Sequence, residues 1–110
     1  MTTSYQIIYW RDIPAQVKAR AGKNRVSRPL SVRFERAIDR AAMYAGKIDS
    51  DDYLAEWHSS EWQQREGEPE AVADTLVFEI EAAYPDRRLR AMARKGGYAA
   101  EEEEVEADQD

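Results

Sequence analysis

The chain of 110 residues contains no cysteine and only one histidine, His58. The absence of cysteine excludes disulfide bonds, thiolate nucleophiles, zinc fingers and iron–sulfur ligation by the chain itself. A metal would need His58 together with carboxylates such as Glu56 or Glu61, without the paired histidines of helical metal motifs. The five glycines are single or a terminal pair, and none forms a phosphate-binding loop. We therefore expect no catalytic residue, no metal and no cofactor, and we interpret His58 as a surface or hinge residue.

Long apolar runs are also missing. The most apolar stretch near the N-terminus spans six residues, 5–10, and no basic segment precedes it, so we expect no secretion signal. No segment approaches the ~20 apolar residues of a membrane-spanning helix. Together with the absence of cysteine, this predicts a cytoplasmic protein without a membrane partner.

The charge of −6 is unevenly distributed along the chain. Residues 1–48 carry ten basic and three acidic side chains, whereas residues 49–110 carry six basic and nineteen acidic ones. Seven of those acids lie in residues 101–110, which offer almost nothing to bury. We therefore predict an acidic, disordered tail at residues 98–110 and a single globular domain at residues 1–97.

Two segments near the N-terminus have the composition of β-strands. Residues 5–10 are mainly β-branched and aromatic, and residues 15–21 alternate between apolar and polar side chains. Residues 11–14 lie between them and suit a turn, which predicts an antiparallel hairpin. Residues 22–30 are interpreted as a basic loop, and residues 61–65 as a candidate third strand.

Helical periodicity follows the hairpin. Residues 31–45 have apolar side chains at helical spacing, with Ser31 as the N-cap and Gly46 as the stop. A short helix begins near Asp49 or Ser50, residues 69–84 form the most regular helix, and residues 86–94 are a further candidate. The sequence therefore predicts an α+β domain in which a small two- or three-stranded antiparallel sheet packs against the helices at 31–45 and 69–84.

One set of polar and aromatic side chains is not required by this core, and we predict that it forms a protein-docking site. The turn places an Arg–Asp pair beside a tryptophan that could anchor a partner at the end of the sheet, and arginines on the first helix lie outside its apolar stripe. The predicted residues are Trp10, Arg11, Asp12, Gln16, Arg33 and Arg40. The alternative is that these charges form local salt bridges, each worth under about 1 kcal/mol.

The basic side chains of residues 18–40 suggest a second possibility. They are spread over a strand, a loop and a helix that we expect to lie near one another, and such a surface could neutralise nucleic-acid phosphates. We regard nucleic-acid binding as the alternative to protein docking. A solvated face that balances the acidic half of the molecule is the simpler explanation.

Three segments resemble the small bacterial family known as the virulence factor family. They are YWRDIPAQVKAR at residues 9–20, RFERAIDRAAMYAG at residues 33–46 and YLAEWH at residues 53–58, and the resemblance covers about residues 4–90. In some relatives the domain is joined to helical HEAT-like repeats and to a segment of the iron–sulfur-scaffold type. The resemblance brings no assigned catalytic residue with it. It also implies an association with folate- and corrinoid-dependent methyl-transfer enzymes of one-carbon metabolism.

These observations lead to one expected function and its alternatives. We expect a non-catalytic accessory module, not an enzyme, that binds a protein partner. Nucleic-acid binding through the basic 18–40 surface is the alternative, and a subunit that contributes residues to a shared active site is a third. A homodimer is also compatible with the open edge that a small sheet leaves.

Overall fold

A computed structural model describes residues 1–100 of the chain and confirms the α+β class. The strands are β1 (Thr2–Trp10), β2 (Ile13–Ala21), β3 (Asn24–Pro29), β4 (Trp57–Ser59) and β5 (Gln63–Glu66). The helices are α1 (Val32–Ala45), α2 (Ser50–Ala55), α3 (Pro69–Ala83) and α4 (Asp86–Arg94). The predicted tail lies outside the described residues from 101 onwards.

Within residues 1–100 the sheet contains five strands, so the expectation of two or three was too small. The order is β3-β2-β1-β4, and β5 pairs with the other half of β1, on the edge that β4 also uses. All pairings are antiparallel. The predicted hairpin is present, with Ile7 opposite Val17, and its register shifts at a bulge between Ile8 and Tyr9.

The two missed strands have physical explanations. Residues 24–29 begin with asparagine after Gly22 and end in proline, which is typical of a loop, yet they pair with β2 through six residues in register. Proline is tolerated there because β3 is an edge strand. β4 is only three residues long and starts at Trp57, whose spacing from Tyr53 suggested that it continued the preceding helix.

The helices occupy the predicted positions. The side chains of α1 that point inwards include Phe34, Ile38 and Ala41, and those of α3 include Val72 and Leu76. α3 packs across β1, β2 and β3, while α1 packs against α4 and β2. Gly46 ends α1 in the left-handed conformation, with φ of 72°.

The face of the sheet opposite α3 carries the polar residues of the alternating strands. In antiparallel pairs, residues directly opposite each other lie on the same face, so Gln6 and Lys18 share this face with Ser27. Lys18 and Ser27 are exposed to solvent. None of the helices described in residues 1–100 is long and apolar enough to cross a membrane.

Candidate interaction surfaces

Trp10 is completely buried, as core packing would require, so its ring is not exposed for the partner contact that its place beside the turn suggested. Its Nε1 donates a hydrogen bond of 2.9 Å to the Tyr53 carbonyl oxygen, and its ring stacks on that of Tyr53 at 5.7 Å between centroids. Its edge lies against Gly97, where an added Cβ would come within 2.9 Å of Cζ3. The indole is therefore a core element that joins the hairpin to α2 and to the segment after α4.

Arg11 is also held inside the molecule. It adopts a positive φ of 53° at the hairpin turn, and only 9% of its side chain is exposed. Nη1 donates to the Gly96 carbonyl at 3.0 Å, Nε lies 3.3 Å from Glu56 Oε1, and the guanidinium lies 4.5 Å from the centre of the Tyr98 ring. Nη1 and Nη2 therefore each donate one hydrogen bond within the molecule, to Gly96 and Glu56, and the guanidinium is too buried to face a partner.

Asp12 follows Arg11 in this turn and is hydrogen-bonded to the segment after α4. Its Oδ2 accepts a hydrogen bond of 2.7 Å from the Ala99 backbone N–H, and its own N–H donates to the Gly97 carbonyl at 2.9 Å. Tyr98 and Ala99 therefore contact the hairpin turn, so these two residues of the predicted tail are attached to the domain.

His58 lies next to the same turn. Its ring stacks on that of Tyr9 at 5.5 Å, and Nε2 is hydrogen-bonded to the Arg11 carbonyl oxygen. Within residues 1–100, no group of three or more histidine, aspartate or glutamate side chains is arranged to hold a metal ion. The contacts of His58 are those of a residue that fastens β4 to the turn.

Arg33 links α1 to the end of α3 and to the start of α4 through ion pairs and hydrogen bonds. Nη2 lies 3.0 Å from Glu81 Oε1, and Nη1 lies 3.0 Å from Asp86 Oδ1 and donates to the Tyr84 carbonyl. Ser31 holds the N-cap position, but its hydroxyl donates to Glu81 and makes no cap bond of its own. Burial alone would raise the pKa of Glu81, but the two hydrogen bonds from Ser31 and the charge of Arg33 lower it overall.

A basic concavity lies between α1 and α4, and we name it the arginine groove. Its volume is about 180 Å³, Ala37 and Leu89 form part of its lining, and Asp86 is its acidic member. The basic side chains of the arginine groove are Arg33, Arg36, Arg40 and Arg90. Further along α1, Arg40 also lines a concavity of about 390 Å³ with Met43 and Tyr44, which are 69% and 60% exposed.

Gln16 lies in a different concavity on the opposite side of α1. Its volume is about 370 Å³, and β2, the β3–α1 connection, α1, α2 and β4 all contribute to it. We name it the acidic–aromatic groove after its main polar and ring-bearing side chains, Glu35, Asp39, Tyr53 and Trp57. Burial raises the pKa of Tyr53, and the charges of Asp39 and Glu35 add to this effect, because all three groups are close together.

The basic side chains of residues 18–40 do not form the single surface that was expected, because they lie in separate parts of the structure. Lys18, Arg20 and Arg25 line a concavity of about 200 Å³ on the sheet face, where the Arg20 guanidinium lies 3.9 Å from the centre of the Trp62 ring. The arginines of α1 line the arginine groove instead. Arg28, which lies between them in sequence, forms an ion pair with Asp74 of α3 at 3.0 Å.

The six predicted docking residues therefore do not form one site. The turn residues 10–12 make internal contacts, Gln16 lines the acidic–aromatic groove, and Arg33 and Arg40 line the arginine groove. Sequence reasoning missed the acidic–aromatic groove. The one available signal was the i, i+4 spacing of Glu35 and Asp39, which places both on the side of α1 away from Arg36 and Arg40.

Comparison with protein families gives a match over most of the chain. A family model described as "Virulence factor" matches residues 8–93, which is most of the chain and confirms the resemblance seen in the sequence. No curated protein and no solved structure matches the chain.

Proposed function

The chain belongs to the virulence factor family, and we propose that it acts as a non-catalytic accessory module that docks on a protein partner through the arginine groove. The proposed surface continues along α1 to Met43 and Tyr44, beyond the last arginine of that helix. The observation that carries the proposal is this strip of outward-facing arginine, methionine and tyrosine side chains on one helix.

The charges of the strip are not balanced locally. Arg36, Arg40 and Arg90 are exposed, and none of them forms an ion pair with a carboxylate of residues 1–100, whereas Arg33 forms two. Arginine, tyrosine and methionine are enriched at protein interfaces, and forked guanidinium groups suit carboxylates of a partner. A partner of complementary chemistry would present acidic side chains around an apolar centre.

The experiment compares two double charge reversals. The R36E/R40E variant reverses two charges in the arginine groove, and the K18E/R25E variant reverses two charges on the sheet face. All four residues are exposed and have no carboxylate partner in residues 1–100. Each changes the net charge equally, so they are matched controls. Because surface substitutions usually change stability by less than about 0.5 kcal/mol, both variants should fold as the unsubstituted chain does.

The readout is binding to a partner identified from the native host by co-purification and mass spectrometry, then purified and measured by calorimetry. We expect K18E/R25E to bind as the unsubstituted chain does and R36E/R40E to bind at least about tenfold more weakly, because like charges would now face the partner's carboxylates. Equal affinities for the two variants would contradict docking through the arginine groove. The methyl-transfer enzymes implied by the family resemblance are the first partners to test.

Nucleic-acid binding remains the second candidate, because Lys18, Arg20 and Arg25 line one concavity together with Trp62 on the sheet face. Cations next to an aromatic ring are the elements of single-strand binding surfaces. The same two variants separate this function from docking. If nucleic acid is the ligand, K18E/R25E should lose affinity for labelled oligonucleotides, with a steep salt dependence in the unsubstituted chain. Affinity that is equal in both variants would argue against the sheet face.

A further inference from the structure

The acidic–aromatic groove has a composition that the docking proposal does not explain. It lies on the side of α1 opposite the arginine groove, and its volume of about 370 Å³ is within the range of about 300–1,000 Å³ that is usual for ligand pockets. Ile38 and Leu30 line it together with the polar groups, so it has apolar as well as charged walls. The groove therefore has both the apolar and the charged side chains that a binding site for an organic group needs.

The carboxylates of the groove are not paired with a cation within residues 1–100. Glu35 and Asp39 lie one helical turn apart on α1, and neither forms an ion pair with a basic side chain of residues 1–100. Among the residues that the structure describes, no lysine, arginine or histidine lines this groove. The groove is thus negative, although the part of the chain that contains it is rich in basic residues.

The aromatic wall is packed against the core of the domain. The rings of Tyr53 and Trp57 meet edge to face, at 6.0 Å between centroids and an interplanar angle of 80°. Tyr53 is in turn stacked on the buried Trp10, whose indole bonds the Tyr53 carbonyl. Aromatic rings beside carboxylates are elements of sites that attract organic cations.

We propose that this groove binds the side chain of an arginine presented by an extended segment of a partner protein. A guanidinium is planar, stacks on aromatic rings and carries five donors in a fixed fork, so it can satisfy two separate carboxylates and the Gln16 amide oxygen together. An ammonium is a compact, strongly hydrated point charge that matches this spread of acceptors less well. The apolar wall would contact the methylene stem of the arginine. The site is independent of the arginine groove, since it uses the other side of α1.

Short blocked peptides of glycine with one central arginine, lysine or citrulline test the proposal without a folded partner. Citrulline keeps the planar shape of the arginine side chain but removes its charge. Each peptide is titrated into the full chain, and backbone and indole N–H resonances are followed by NMR. We expect the arginine peptide to shift the resonances of Gln16, Tyr53 and Trp57. The citrulline and lysine peptides should each bind at least about tenfold more weakly, because charge-assisted hydrogen bonds are lost or fit poorly.

Two matched variants assign the binding to the groove. E35Q/D39N removes both charges of the groove, and E61Q/E70Q removes two exposed charges that do not line it. We expect E35Q/D39N to weaken arginine-peptide binding by about tenfold or more and E61Q/E70Q to leave it nearly unchanged. Equal binding of the citrulline or lysine peptide would overturn the guanidinium assignment. Shifts confined to residues 101–110, or unaltered binding in E35Q/D39N, would overturn the site itself.

Discussion

Replacing Gly97 with alanine should destabilise the domain strongly, and the structure indicates why. Gly97 has φ of 101°, a conformation that side chains disfavour, and an added Cβ would lie 2.9 Å from Trp10 Cζ3 and 3.1 Å from Cε3. Trp10 cannot move away easily, because it is completely buried and hydrogen-bonded to Tyr53. The substitution therefore combines a strained backbone with an overpacked core.

The expected magnitude follows from these two effects. A residue forced into a sparsely populated backbone region costs about 1–3 kcal/mol, and an extra methyl group in a packed core costs about 1–3 kcal/mol. Their sum is partly offset by about 0.4–1 kcal/mol, because alanine reduces the entropy of the unfolded chain. We expect a net loss of about 1–5.5 kcal/mol with a central value of about 3 kcal/mol, and since each kcal/mol lowers the Tm of a domain of this size by about 4–8 °C, the central value corresponds to a fall in Tm of about 12–24 °C.

Gly22 provides the matched control. It also has a positive φ, of 61°, but no atom lies within 4 Å of an added Cβ, so G22A carries backbone strain without the contact. Urea and thermal unfolding of G22A should show a loss of about 1 kcal/mol. In a W10F background the effect of G97A should shrink, because coupling between residues in contact is about 0.5–3 kcal/mol. Equal losses for G97A and G22A, or a W10F background that changes nothing, would refute the reasoning.

Two further predictions concern pH and the C-terminus. Because the pKa of Glu81 is lowered from 4.5 in the folded state, its contribution to stability is present above that pH and is lost as the pH falls through the lower, folded value. The E81Q variant should lack this part of the acid destabilisation when its unfolding is measured against pH. An unchanged pH profile would show that the contacts of Glu81 with Ser31 and Arg33 are weak. Truncation after Ala100 should leave the Tm within a few degrees, because residues 101–110 contain only Val105 and Ala107 as apolar side chains; a large fall would mean that the acidic segment docks on the domain.

The local periodicities predicted much of the fold. The hairpin and the main helices were found because alternation and helical spacing identify surfaces that must be buried, whatever covers them. β3 was missed because its pairing with β2 is a tertiary effect that overrides the turn-like preferences of Asn24 and Pro29. β4 was missed because three residues are too few to show alternation.

The candidate site was harder to predict, because charge along a sequence does not show which charges are neutralised in space. Arg11 and Arg33 carry the same charge as Arg36 and Arg40, but the first two are paired with acids more than forty residues away. The burial of Trp10 likewise depends on contacts that are distant in the sequence. Its position beside a turn suggested exposure, and only the approach of Gly97 and α2 from distant parts of the chain makes that end of the hairpin part of the core.

The position of β1 in the sheet has a consequence for the order of folding. One edge of β1 is completed by the adjacent β2, but the other edge needs β4 and β5, and Thr2 is paired with Glu66. The hairpin can close locally in microseconds, whereas the second edge requires closure of a much longer loop. During synthesis, the backbone groups of β1 on that side stay unpaired until residues 57–66 have left the ribosome. Partly synthesised chains will therefore expose a strand edge, and pairing between such chains is the expected route of aggregation.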